Sequence, residues 1–162
     1  MPTPIFDAAD ASDFDATVRM ILARRAQEAG ALLPILHEVQ DTLGHVPRQV
    51  VPQIAEALNL SRAEVHGVVT FYHDFRREPP GRHVLKLCRA EACQSMGGDA
   101  LADAVQKHLA VGFGETSRDG AVTLEPVYCL GMCACAPAAM LDGKPVARLT
   151  REKLEKLMET AR

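Results

Sequence analysis

Apolar residues in the first half of the chain recur at the three- and four-residue spacing of helices. Between Asp15 and Ala29 they fall at Val18, Ile21 and Leu22, and Gly30 supplies a stop. Pro34 suits the first turn of a second helix, which carries Ile35, Leu36, Val39 and Leu43 and closes at Gly44. Pro47 opens a third, running through Ile54, Ala57 and Leu58 to Asn59. Ser61 and Glu64 have capping-box spacing at the head of a fourth, SRAEVHGVVTFY. Four short helices with tight connections predict a small bundle over residues 15–78, behind a loose arm of residues 1–14. The stretch EPPG at 78–81 marks the boundary.

Beyond it the rhythm changes to alternation. HVLKL, from His83 to Leu87, is strand-like and runs straight into Cys88. Leu101, Ala104, Val105 and His108 share helical spacing between Gly98 and Leu109. Arg118-Asp119-Gly120 is a turn signal, and a strand from Val122 to Tyr128 follows it. Ala139–Leu141, Asp142-Gly143 and Pro145–Ala147 read as a hairpin. Thr150 and Lys153 begin a charged closing helix over a seam of Leu154 and Leu157. The order β-α-β-β-α predicts a compact α/β (α+β) layer fold. No internal repeat or low-complexity segment is visible.

Composition narrows the function classes. The 162 residues suit one domain, or one domain with a helical attachment, and can bury a core without disulfide staples. The formal net charge of −3 lacks the basic footprint of a nucleic-acid partner. No apolar run reaches the roughly 18 residues of a membrane span. The acidic start, MPTPIFDAADASDFDA, has neither the basic nor the apolar region of a secretory signal. A cytoplasmic chain is therefore expected, where thiols stay reduced or bind metal. No GxGxxG or P-loop occurs, so the chain is not expected to bind NAD or flavin itself.

All five cysteines lie between 88 and 135. Cys88 and Cys93 are spaced C-x4-C in CRAEACQ; Cys129 and Cys133 are spaced C-x3-C in CLGMC; Cys135 follows. Each pair comes after an expected strand, so two loops leaving adjacent strands would gather four sulfurs. A redox dithiol favours C-x-x-C, which is absent. Structural zinc takes four thiolates from C-x2–4-C knuckles, and these spacings lie at the edge of that range. Such a zinc-stapled interaction module is the rival from another class. A [2Fe–2S] cluster needs two cysteines on each iron, which two separated pairs supply. Spacing alone does not choose between Cys133 and Cys135 as the fourth ligand.

The neighbourhood suits a negatively charged group. Gly97, Gly98 and Gly131 allow backbone N–H groups to approach, and the helix beginning at Gly98 directs its positive end at the loop. Arg89 could offset charge or simply face solvent. His66 and His73, seven apart in the expected fourth helix, read as packed or interfacial rather than metal-binding. His37, His45, His83 and His108 have no ligand spacing. Phe71, Tyr72 and Phe75 form an aromatic cluster suited to core packing or to docking on a partner subunit.

Taken together, CRAEAC and CLGMCACAP, with the helical preface GVVTFYHDF, resemble the thioredoxin-like [2Fe–2S] ferredoxins of NADH-linked complexes. That family includes the small cluster-bearing subunit of respiratory complex I, its relative in NAD-reducing hydrogenases, and the gamma subunit of NAD-dependent formate dehydrogenase. The resemblance covers roughly residues 30 to 150. It implies a thioredoxin-like domain over 82–162, a [2Fe–2S] cluster on Cys88, Cys93, Cys129 and Cys133, and Cys135 as the spare thiol. HGVVTFYHDFRREPPGRHVLKLCRAEACQSMGG and CACAPAAMLDG look most like the formate dehydrogenase gamma subunit. That branch implies an electron-transfer subunit with no substrate site of its own. Its partners would be a flavin- and NAD-binding beta subunit and a molybdenum-containing alpha subunit that oxidises formate.

Overall fold

The computed structural model describes residues 11–161, and these form two compact units that divide between Pro79 and Pro80. Residues 1–10 of the expected arm lie outside the described residues. Its last four positions are helical: α1 spans Ala11–Arg25, starting earlier and ending earlier than the spacing predicts. No apolar residue after Leu22 holds the last turn down, and the chain leaves the helix before Gly30. α2 spans Leu32–Leu43 and closes on Gly44, whose N–H donates to the Gln40 carbonyl. Its positive φ of 78° is the left-handed cap that glycine adopts freely.

A 3-10 turn at Arg48–Val50 leads into α3, Val51–Ala57. α4 spans Arg62–Phe71 behind the expected capping box. Ser61 Oγ accepts from the Glu64 N–H at 3.1 Å, and Glu64 Oε2 accepts from the Ser61 N–H at 2.8 Å. Val18, Ile21, Ile35, Leu36, Val39, Ile54 and Val65 fill the core of this first unit. The Gln40 side chain pins the exit from α4, donating to the Asp74 carbonyl at 2.7 Å and accepting from the Arg76 N–H at 2.6 Å. The helix ends before His73, so His66 and His73 share no helical face; both are exposed rather than packed. Phe75 is buried, but Phe71 is 73% exposed and Tyr72 is also exposed.

In the second unit a mixed sheet has the order β2-β3-β1-β4-β5. β1 (His83–Cys88) and β3 (Val122–Val127) are its parallel centre, in register from His83 opposite Val122 to Cys88 opposite Val127. Between them come α5 (Glu91–Ser95), α6 (Gly98–Leu109) and β2 (Glu115–Thr116), the last pairing antiparallel with β3. β4 (Ala139–Leu141) runs antiparallel to β1 and turns into β5 (Lys144–Val146). α7 spans Arg151–Thr160, capped by the Thr150 side chain.

Strand alternation sorts the two faces. Leu85, Leu87, Val122, Leu124, Ala139 and Leu141 pack with Ala102 and Val105 of α6 and with Leu154 and Met158 of α7. The buried seam of α7 is thus Leu154 with Met158, a four-residue step, and Leu157 only flanks it. Lys86 and Glu125 stand opposite each other in register, paired at 3.5 Å. Among the described residues no helix is long and apolar enough to cross a membrane.

Candidate metal centre

β1 and β3 end together, and that shared end builds the site. Cys88 is the last residue of β1. Its N–H donates to the Ala138 carbonyl at 3.1 Å, and the next N–H, of Arg89, donates to the Val127 carbonyl at 2.7 Å. The chain then turns into α5, which carries Cys93; the Cys93 N–H closes on the Ala90 carbonyl at 2.9 Å. Both thiols are enclosed, Cys88 at 6% exposure and Cys93 at 2%, in a small apolar cluster with Ala138. Val127, Leu130 and Met132 pack around it.

The second pair leaves β3. Cys129 adopts a φ of 139°, a conformation side-chain-bearing residues seldom take, and Gly131 follows at 73°. This tight loop lets the Gly131 N–H donate to Cys129 Sγ at 3.3 Å. Cys133 opens a 3-10 turn to Cys135, and its sulfur stands 3.8 Å from that of Cys129. Cys129 and Cys133 are exposed, and Cys135 is half-buried with its carbonyl accepting from the Arg148 N–H. None of the five cysteines is in a disulfide.

The thiols perturb one another across the two loops. Burial pushes the Cys93 thiol up, its hydrogen bond with Cys88 adds to that, and the Ala138 N–H pulls it back; Cys88 and Cys133 charge also act on it. The Cys133 thiol is raised first by its hydrogen bond with Cys129, next by Cys129 charge and desolvation, and also by Cys88. Like charges gathered at one place disfavour ionisation of all of them, and a bound cation reverses that preference. The donor set fits an iron–sulfur cluster, which takes four thiolates with N–H groups aimed at sulfur. Among the described residues no three His, Cys, Asp or Glu side chains are placed to hold a single ion; the thiols stand as pairs.

Sequence reasoning missed several participants. α5 is only five residues long, too short for a periodic signal, yet it carries Cys93. Ala138 has no chemistry that a motif would flag, because it acts through its backbone. The sequence singles out Arg89 but not its partners: it meets Asp99 at 3.2 Å and lies over the Phe113 ring, 5.2 Å from the centroid.

A sheet of this topology, covered by α6 and α7 and carrying two pairs of thiols at the common end of β1 and β3, defines an iron–sulfur electron carrier of thioredoxin-like fold. The family model for the thioredoxin-like [2Fe-2S] ferredoxin matches residues 18–162, and the chain belongs to that family. It accordingly carries a [2Fe–2S] cluster. An NADH-quinone oxidoreductase subunit of Pseudomonas aeruginosa is 38% identical over 129 residues, spanning 80% of this chain and 78% of that one. The HndA subunit of an NADP-reducing hydrogenase from Solidesulfovibrio fructosivorans is 30% identical over 132 residues, spanning 82% and 77%. Among solved structures, an NAD+-reducing [NiFe]-hydrogenase in the H2-reduced state superposes with a TM-score of 0.69 at 26% identity. That match covers 80% of this chain and 22% of the hydrogenase chain.

Proposed function

We propose that Cys88, Cys93, Cys129 and Cys133 hold the [2Fe–2S] cluster, and that the chain is an electron-transfer subunit of a multi-subunit NAD-linked oxidoreductase. The observation that carries this reading is the sulfur arrangement at the common end of β1 and β3. Cys129 and Cys133 are 3.8 Å apart on one loop, and Cys88 stands in register with Val127, two residues before Cys129.

When bound, the cluster supplies reversible one-electron acceptance. The protein's own groups set the conditions for it. The Gly131 N–H at Cys129 and the Ala138 N–H at Cys93 stabilise negative charge on sulfur. Burial of Cys88 and Cys93 keeps water from one half of the site, while Cys129 and Cys133 bring the other half to the surface.

For the parent complex two readings each rest on an observation. The relatives favour an NADH-quinone oxidoreductase or a hydrogenase, with a flavin- and NAD-binding subunit as the neighbour. The resemblance of HGVVTFYHDFRREPPGRHVLKLCRAEACQSMGG and CACAPAAMLDG supports the gamma position of a formate dehydrogenase, beside the flavin subunit and a molybdenum-containing alpha subunit. Isolating the native complex and assaying NAD-linked turnover with formate, hydrogen and quinone separates them. The cluster assignment itself is tested on the purified chain. It should be coloured and should give an EPR signal after dithionite. A colourless protein with stoichiometric zinc sinks the electron-transfer reading.

A further inference from the structure

The first turn of α6 meets the Cys88–Cys93 loop at two places. Gly98 is buried, and a β-carbon there would stand 2.6 Å from the Cys93 carbonyl oxygen, 3.0 Å from its carbonyl carbon and 3.5 Å from its β-carbon. The two shortest contacts are to main chain, which has no side-chain rotamer through which to yield. Asp99, the next residue, pairs with Arg89 at 3.2 Å, and Arg89 directly follows Cys88. The same guanidinium is fixed over the Phe113 ring.

We infer that Gly98 is a positioning residue for the cluster: its missing side chain lets α6 seat against the Cys93 main chain, and the Arg89–Asp99 pair holds that seat closed at the Cys88 end. The inference rests on the assignment of Cys88 and Cys93 as ligands. Cys93 is 2% exposed and lies on a five-residue helix, so a displaced carbonyl carries the thiol with it. Gly97 provides a matched contrast. Its N–H donates to the Gln94 carbonyl at 3.0 Å and not, as the sequence suggests, to the cluster; a β-carbon there meets nothing within 4 Å, and its requirement is a φ of +86°. Asn tolerates that region better than other side-chain-bearing residues.

The test uses the full chain with its cluster, comparing wild type with Gly98→Ala, Gly97→Asn, Arg89→Gln and Cys93→Ala. Three readouts are followed: the g-values of the reduced protein, its midpoint potential, and the rate of cluster loss to a chelator. Far-UV circular dichroism and apoprotein melting report the fold. Gly98→Ala should shift the g-values and speed cluster loss by about 10- to 100-fold, the usual scale for groups that orient metal ligands. Arg89→Gln should move the same readouts in the same direction by less, and Gly97→Asn should keep the wild-type g-values, potential and loss rate while its strained φ lowers the melting temperature. A folded Gly98→Ala with wild-type g-values, potential and loss rate overturns the inference, even if it melts lower. If Gly98→Ala does not fold, Arg89→Gln decides, and a wild-type loss rate there overturns it. Failure of the ligand assignment is distinct: Cys93→Ala would then keep its cluster.

Discussion

Cys133 places its sulfur 3.8 Å from Cys129, while Cys135, two residues on, is half-buried, with its carbonyl accepting from the Arg148 N–H. Single substitutions should therefore separate them. Cys88→Ala, Cys129→Ala and Cys133→Ala should each lose the visible absorption and the EPR signal, and Cys135→Ala should keep both. Bleaching by Cys135→Ala with retention by Cys133→Ala would reverse the assignment. The five thiols were conspicuous in the sequence because cysteine is rare and its spacing carries chemistry. Arg89 was not readable in this way. Whether a charge beside a ligand meets the cluster, solvent or a carboxylate depends on residues distant in sequence, here Asp99 and Phe113.

Elements announced by a cap or a long periodic run were legible, and short ones were not. The Ser61–Glu64 box set the start of α4, and both of its hydrogen bonds form. Ser61→Ala should cost about 1 kcal/mol in chemical denaturation. The Glu64 carboxyl is held below its ordinary value of 4.5, first by the Ser61 N–H and then by the Ser61 hydroxyl. A depressed folded value means that its contribution is full above the unfolded pKa and is lost as pH falls through the folded one. The stability gap between wild type and Glu64→Gln should accordingly narrow as pH drops below 4.5, and a gap that widened would refute this account. β2 is two residues long, both exposed, and α5 is five residues long. Neither is long enough to show a period, and each forms because neighbouring structure holds it: β2 on β3, and α5 between Cys88 and α6. The α7 seam shows a finer error. Leu157 is the more apolar choice by sequence, but the four-residue step from Leu154 reaches Met158.

All four proposed ligands and the Leu85–Leu124–Leu154 core that supports them lie beyond Pro80. Arg77 and Glu78 are exposed just ahead of the boundary. Limited trypsin treatment should cut after Arg77 and leave a fragment beginning at Glu78 that keeps the cluster absorption. Loss of colour in step with that cut would show that the helical unit is needed to hold the site. The exposed Phe71 and Tyr72, whose rings meet edge to face at 5.2 Å, belong to the helical unit, away from the thiols in sequence.

The two-part organisation, the helical and strand-like halves and the paired thiols were already written in the order of residues, because periodicity, proline, glycine and cysteine act over a few positions and leave local marks. Folding in three dimensions put the Cys133 sulfur beside that of Cys129 and began α6 against the Cys93 carbonyl. The meeting of the two thiol loops follows from the parallel register of β1 and β3, which brings residues about forty positions apart to one end of the sheet. Close approach of that kind is a property of packed backbones, and no short stretch of chain encodes it.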